Sequence, residues 1–307
     1  MNAAGQATQV LDAALDRVAA LDARYLVPAI ALQLIAFACK AVAWRNVLAA
    51  AFPATRVSFV SVGCSYAAGM GLNAFLPARG GDAVKVALVR AQVPRSTVAG
   101  IVTTLGVVSL LDAFVGATLV GALWLDGALP MLPVPRPGDH LPLLAAASVI
   151  VAAILGAAAA YRPETLRRIL ANATRGAAVL RTPGRYVRSV VPFQLAAWAC
   201  RIAVLYLVLA AFGIHTSVGT AALLVVVGGI STAVPVPGGA GAQQVLAVYA
   251  LQGMVSAAGA ISFSVGFQVG LTILNTAIGL VGAMVLFRTS RPLAALGQAR
   301  AAARQQG

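Results

Sequence analysis

The chain has 307 residues, of which 60% are hydrophobic and only 10% are charged, and its formal net charge at pH 7 is +14. Soluble domains carry about 25% charged residues, so this composition excludes an ordinary soluble enzyme and is typical of an integral membrane protein. A nucleic acid partner is not expected either, because no aromatic residue except Tyr186 lies among the clustered arginines to stack on bases.

The N-terminal segment, residues 1–25, is polar. Asp12, Asp16 and Asp22 interrupt any apolar core that a secretory signal would need, so we predict an amphipathic helix here. Five apolar runs that follow are long enough to cross a hydrocarbon core of about 30 Å. We predict membrane spans at 26–48, 97–123, 141–161, 190–211 and 257–287.

Two further apolar stretches are interrupted near their centres. Residues 58–93 contain LPARGGD, and residues 218–252 contain PVPGGAG. Proline and paired glycines stop helices, so each stretch divides into two short arms. The arm 82–93 has 12 residues, about 18 Å of helix, which is too short to span, and we therefore predict re-entrant hairpins. Non-helical backbone is tolerated at membrane depth only where protein buries it or water fills a cavity, so the breaks also predict a cavity.

The order of these segments predicts an internal repeat. A first unit at 26–123 contains the hairpin 58–93, and a second unit at 190–287 contains the hairpin 218–252. Corresponding boundaries lie 160 to 164 residues apart. Because one linking span, 141–161, separates the units, they run in opposite directions. The predicted fold is an all-α integral membrane protein, an inverted repeat of span, re-entrant hairpin and span units, in which the paired broken segments mark the binding site.

Basic residues predict the orientation in the membrane. The loop 162–189 holds seven arginines, and the tail 288–307 holds four more. The positive-inside rule places both segments in the cytoplasm of a multi-pass protein of the cell membrane. If the spans cross the membrane alternately from these cytoplasmic segments, Lys40 also lies on the cytoplasmic side.

Several charged residues interrupt the apolar segments. Arg79, Asp82 and Lys85 lie at the first break, Asp112 lies near the middle of span 97–123, and Arg201 lies near the middle of span 190–211. A charge at the bilayer centre costs about 2.5–3.5 kcal/mol, so we expect these residues to face a cavity and to pair. The expected pairs are Asp82 with Arg79 or Lys85, and Asp112 with Arg201.

These charges predict an anion site. The helix that starts after each break directs its free N–H groups and dipole at the midplane, where a phosphate or carboxylate headgroup would be held. Structural alternatives stay open: Asp82 as a helix N-cap, Lys85 as a residue reaching the cytoplasm, and Arg201 with Asp112 as a packing ion pair. Interhelical hydrogen bonds are an equal alternative to cavity lining for the buried amides Asn73, Gln194, Gln243, Gln244, Gln268 and Asn275.

No metal site, cofactor or enzymatic signature is expected. Cys39, Cys64 and Cys200 lie far apart inside apolar runs, and the two histidines are isolated in predicted loops. The sequence has no P-loop, so transport would be driven by a gradient or by removal of the product.

The two breaks carry the motifs of a known family. The first holds an asparagine and then Pro-x-Arg-Gly-Gly-Asp, and the second holds Pro-x-x-Gly-Gly-x-Gly. Over about 26–287 the chain resembles the lysylphosphatidylglycerol synthase transmembrane family, a flippase-like domain. The resemblance implies translocation of aminoacylated phospholipids or of isoprenoid or hopanoid lipids. The family often has a glutamate where Gln244 stands.

Motifs and buried charges together predict the residues that bind substrate. They are Asn73, Pro77, Arg79, Gly80, Gly81, Asp82, Lys85, Asp112, Arg201, Pro237, Gly238, Gly239, Gly241 and Gln244.

The leading functional interpretation is a lipid translocase. It would move an anionic phospholipid or a phosphate-bearing polyprenyl or hopanoid-type lipid through a cavity between the two repeats. Two alternatives stay open: a membrane-embedded transferase that acts on a lipid-linked phosphate with Asp82 as general base, and a non-catalytic lipid-binding partner of a synthase. The sequence leaves the lipid, the direction, the energy source and the oligomeric state, including a homodimer, undecided.

Overall fold

The computed structural model describes residues 22–73, 75–76, 80–93, 96–125, 164, 167, 171–172, 174, 176–231 and 241–287. All regular elements in these ranges are helices, and they contain no strand. A short 3-10 helix covers Ala178–Arg181. The α-helices are α1 Ala23–Ala51, α2 Phe59–Asn73, α3 Gly80–Gln92, α4 Val98–Leu125, α5 Pro183–Ser189, α6 Val191–Ala211, α7 Val218–Ser231, α8 Ala242–Ala250 and α9 Ala257–Phe287.

Four helical segments are long and apolar enough to cross a membrane. They are α1, α4 over Val98–Leu123, the continuous stretch of α5 and α6 over Pro183–Ala211, and α9. The predicted spans 26–48, 97–123, 190–211 and 257–287 fall on these helices, which confirms an all-helical membrane protein. The predicted span 141–161, the tail 288–307 and residues 1–21 lie outside the described residues, as do 162–163, 165–166, 168–170, 173 and 175 of the basic loop.

The four short helices lie on either side of the two breaks. Helix α2 ends at Asn73 and α3 begins at Gly80, while α7 ends at Ser231 and α8 begins at Ala242. Gly241, directly before α8, has a φ of 84°, a left-handed conformation that glycine adopts without the steric cost of a Cβ. Each break therefore separates two short helices, as the proline and glycine pattern predicts.

Helix packing links the N-terminal and C-terminal halves of the chain. Helix α1 packs along α6, and α2 packs against both α3 and α9. In the C-terminal half, α7 packs against α8 and α6, and it also contacts α4 of the N-terminal half. One apolar core surrounds Trp44 and Leu48 on α1, and a second surrounds Leu209 on α6 and Phe263 on α9. Each half thus places a broken helix against the last long helix of the other half.

Glycines allow two of these contacts to be very close. A Cβ on Gly279 of α9 would lie 3.0 Å from the Cα of Gly71 on α2. A Cβ on Gly81 of α3 would lie 2.0 Å from the carbonyl oxygen of Gly69 on α2. Helices in membranes associate largely through such backbone contacts, because lipid offers no hydrophobic drive for helices to associate. Helix α2 is therefore held on two sides by glycine contacts.

Candidate functional site

A cavity of about 330 Å³ lies between the helices of the two halves. Its charged lining residues are Lys40 on α1, Lys85 on α3 and Arg201 on α6. Neutral polar groups line the rest of its polar surface, together with aromatic and aliphatic side chains. The neutral polar lining residues are Gln33, Tyr66, Asn73, Gln243, Ser264, Gln268, Thr272 and Asn275. No cluster of three metal-ligating side chains occurs in the described ranges.

The first break brings four of the predicted site residues together. Lys85 Nζ lies 2.7 Å from Asp82 Oδ1, and Asn73 Nδ2 donates to the same oxygen at 3.3 Å. The backbone N–H of Gly81 donates to Asn73 Oδ1 at 2.8 Å. Lys85 is only 6% exposed, and its ammonium also lies 4.3 Å from the centre of the Tyr66 ring. Asp82 and Tyr66 thus stabilise the charge of Lys85 at the cavity wall.

A second ion pair joins α1 to α4. Lys40, which is 7% exposed, pairs with Asp112. Trp198 on α6 donates its indole N–H to the same Asp112 oxygen at 2.9 Å. Asp112 therefore receives two donors from two neighbouring helices, and its charge is matched by Lys40. The predicted pair of Asp112 with Arg201 is wrong, because this carboxylate pairs with Lys40 on α1 and accepts from Trp198, not Arg201, on α6.

Arg201 is the cavity cation that lacks a carboxylate. Its guanidinium carbon lies 5.8 Å from the centre of the Trp198 ring, and it makes no ion pair with any described residue. Three cations therefore line the cavity while two carboxylates, Asp82 and Asp112, pair with two of them. The described site carries one surplus positive charge, which favours an anion.

Neutral hydrogen-bonding groups form a stripe on α9. Ser264, Gln268, Thr272 and Asn275 recur at spacings of three and four residues, so they share one helix face, and all four line the cavity. Ser264 is 1% exposed, and its hydroxyl has no hydrogen-bond partner among the described residues. This stripe can hydrogen-bond an uncharged polar group, whereas the cations of the lining lie on α1, α3 and α6.

Gln244, a predicted site residue after the second break, hydrogen-bonds to the stripe on α9. Gln244 accepts a hydrogen bond from the backbone N–H of Gly241 at 2.6 Å and donates to Gln268 at 2.8 Å. Gln244 thus caps α8 and positions Gln268. The predicted site residues Pro77, Arg79, Pro237, Gly238 and Gly239 lie outside the described residues.

The structure decides two of the alternatives left open by the sequence. Asp82 lies in the first turn of α3, which begins at Gly80, so it is not the residue that caps the helix start. Gln194 is completely buried and donates to the carbonyl oxygen of Val108 at 3.1 Å, which is an interhelical hydrogen bond rather than cavity lining. Asn73 and the stripe on α9 do line the cavity.

Lys40 is the charged site residue that sequence reasoning missed, because its place near the end of span 26–48 suggested a cytoplasmic flank. The polar lining residues Gln33, Tyr66, Ser264 and Thr272 were missed as well. A residue-by-residue alignment of the two halves of the sequence would have identified Lys40. When the two halves are aligned at a separation of 161 positions (201 minus 40), Lys40 corresponds to Arg201. The pairs Gln33 with Gln194 and Cys39 with Cys200 have the same separation. Both basic residues line the cavity.

Comparison with known proteins identifies the family of this chain. No curated protein and no solved structure gives a significant match to the chain. The family model described as the lysylphosphatidylglycerol synthase TM region matches residues 11–279, which is most of the chain and includes both breaks and all cavity-lining residues. The chain therefore belongs to the lysylphosphatidylglycerol synthase TM region family of membrane proteins.

Proposed function

We propose that this protein is a lipid translocase that moves an anionic, phosphate-bearing lipid across the bilayer through the cavity. The observation that carries the proposal is Arg201, a cavity cation without a carboxylate partner among the described residues, beside two cations that already have one. Arg201 is exposed, so its guanidinium is accessible to an entering anion, and arginine binds a phosphate through two parallel hydrogen bonds. The headgroup would supply the missing negative charge.

The size of the cavity supports a headgroup as the bound part of the lipid. A volume of about 330 Å³ is at the lower end of small-molecule sites, which measure about 300–1,000 Å³. A phosphate with a small polar substituent fits this volume, whereas two acyl chains do not. The chains would remain in the bilayer, next to apolar side chains that the helices expose, such as Phe114 and Ile273.

The finer architecture is part of the proposal. The two halves would form an inverted repeat, with α2–α3 and α7–α8 as re-entrant hairpins. Helices α3 and α8 have 13 and 9 residues, about 20 Å and 14 Å, which is short of a 30 Å core. The exchanged packing of α2 on α9 and of α7 on α4 supports two related units. The protein would be a multi-pass protein of the cell membrane with lipids as its partners.

A translocation assay tests the function. The full chain is reconstituted in liposomes that contain a fluorescent phosphatidylglycerol, and dithionite reports how fast label leaves the inner leaflet. We expect movement well above that in protein-free vesicles, and slowing by about tenfold or more in Arg201→Ala, because a hydrogen bond to a charged group contributes about 1.5–3 kcal/mol. Arg24→Ala removes an exposed arginine outside the cavity and is the matched control.

The same vesicles distinguish a translocase from a transferase and from a non-catalytic lipid-binding protein. Mass spectrometry that finds a covalently altered lipid indicates a transferase. Lipid that is bound but neither altered nor moved indicates a non-catalytic lipid-binding protein. Movement at the protein-free rate for phosphatidylglycerol and for other phosphate-bearing lipids refutes the translocase proposal.

A further inference from the structure

The internal repeat relates two cations of the cavity to each other. Helices α1 and α6 pack along one another, and they carry the same residue types at a constant separation. The matched pairs are Gln33 with Gln194, Leu34 with Leu195, Ala36 with Ala197, Cys39 with Cys200 and Lys40 with Arg201. Lys40 and Arg201 thus occupy equivalent positions on the two central helices, and both line the cavity.

The surroundings of these two cations differ. Lys40 is covered by Asp112 from α4, and α4 packs against α1. In the second half, α9 corresponds to α4, but Ala257–Phe287 contains no acidic residue. No comparable packing joins α6 to α9 within the described ranges. One of two equivalent positions is therefore closed by a carboxylate, and the other is open to the cavity.

We propose that Lys40 is a second headgroup site, which Asp112 closes in this structure. The Asp112 carboxylate occupies, at Lys40, the position that a lipid phosphate takes at Arg201. The inference rests on the proposed function, since it assigns Lys40 the same ligand class, a phosphodiester anion. The Asp112 carboxylate is an internal substitute for that ligand.

The charges of the cavity support an exchange of anions at Lys40. Lys40 is buried, and the like charges of Arg201 and Lys85 act on it, so its ammonium requires a nearby anion. Asp112 and a lipid phosphodiester each carry one negative charge, so replacing one by the other keeps Lys40 neutralised. Trp198 donates to Asp112 at 2.9 Å and thereby holds the carboxylate over Lys40. Opening the second site requires that Asp112 leave both donors.

Rescue of a binding defect tests this inference. Binding of a short-chain fluorescent phosphatidylglycerol is measured on the purified full chain and its variants. Arg201→Ala is expected to weaken binding by about tenfold or more, because the open site loses its cation. Adding Asp112→Asn, which is isosteric but uncharged, is expected to restore most of that loss by freeing Lys40. Adding Lys40→Gln to this pair is expected to abolish the rescue.

A second variant covers the case in which the Asp112→Asn protein does not fold. Trp198→Phe in the Arg201→Ala background removes one donor to Asp112 and keeps an aromatic ring, so a smaller, several-fold rescue is expected. Gel filtration of each variant confirms a monodisperse protein. If neither Asp112→Asn nor Trp198→Phe improves binding in a folded Arg201→Ala protein, Lys40 is not a headgroup site, although the proposed function stands. If the wild-type protein does not bind the lipid at all, both proposals are overturned.

Discussion

The glycine pair at the first break gives the most specific prediction on stability. A methyl group on Gly81 would lie 2.0 Å from the carbonyl oxygen of Gly69 and 2.6 Å from Asn73 Oδ1, whereas ordinary contacts are about 3.5–4.0 Å. The nearest obstacle is backbone, which cannot rotate away. Gly81→Ala therefore requires α3 to move away from α2 by on the order of 1 Å.

The energy of this change follows from three terms. Overpacking costs about 1–3 kcal/mol, and loss of the Gly81 to Asn73 hydrogen bond adds about 0.5–1.5 kcal/mol. The better helix propensity of alanine offsets at most about 1 kcal/mol. We expect a net loss of about 0.5–4.5 kcal/mol, together with weaker lipid translocation, because Asp82 and Lys85 move with α3.

Thermal unfolding of the detergent-solubilised protein, followed by gel filtration after heating, measures the effect. Gly63→Ala on α2 is the matched control, because a Cβ there meets nothing within 4 Å. We expect Gly81→Ala to unfold several degrees below wild type and Gly63→Ala to unfold at or slightly above the wild-type temperature. Equal unfolding temperatures for the two variants would contradict the close packing of α2 and α3.

Two further substitutions test the packing and the charges. Gly282→Ala places a methyl group 2.6 Å from the Cβ of Ala67, so we expect a lower unfolding temperature, whereas Gly270→Ala, with open space around it, is expected to leave that temperature unchanged. Asp82→Asn leaves the buried ammonium of Lys85 without its counter-charge, and we expect a loss on the order of 1–3 kcal/mol, since fully buried pairs reach about 3–5 kcal/mol and Asp82 is partly exposed. Combining Asp82→Asn with Lys85→Met is expected to recover part of this loss, and a strictly additive double variant would argue against the pair.

The helices could be predicted from the sequence because their causes are local. Apolar runs as long as the bilayer core form the long helices, and the predicted span 257–287 coincides with α9. Proline and glycine together at one point favour the end of a helix, so both breaks could be predicted, although Pro28 alone lies inside α1 and the pair Gly228–Gly229 lies inside α7. The re-entrant hairpins and their orientation depend on the membrane and stay predictions.

The pairing of charges could not be predicted in the same way. Hydropathy shows that Asp112 is in a membrane helix, but the partner of a buried carboxylate depends on which helices are neighbours and on which face it lies. Lys40 and Arg201 both lie on helices that contact α4, and the structure selects Lys40. The close contact of Gly81 with Gly69 could not be predicted either, because it depends on how α2 and α3 pack against each other in the folded protein.

The contact between α2 and α9 has a consequence for biosynthesis. The contact of Gly71 with Gly279 cannot form until Gly279 has been synthesised. Gly279 leaves the ribosome about 200 residues after Gly71, which takes roughly 10–40 s at ordinary rates of translation. Until then the early helix sits in the membrane without its docking partner, and the nascent chain exposes a surface of small residues to other proteins. Truncated versions that stop before the last helix should therefore be targets for membrane proteases.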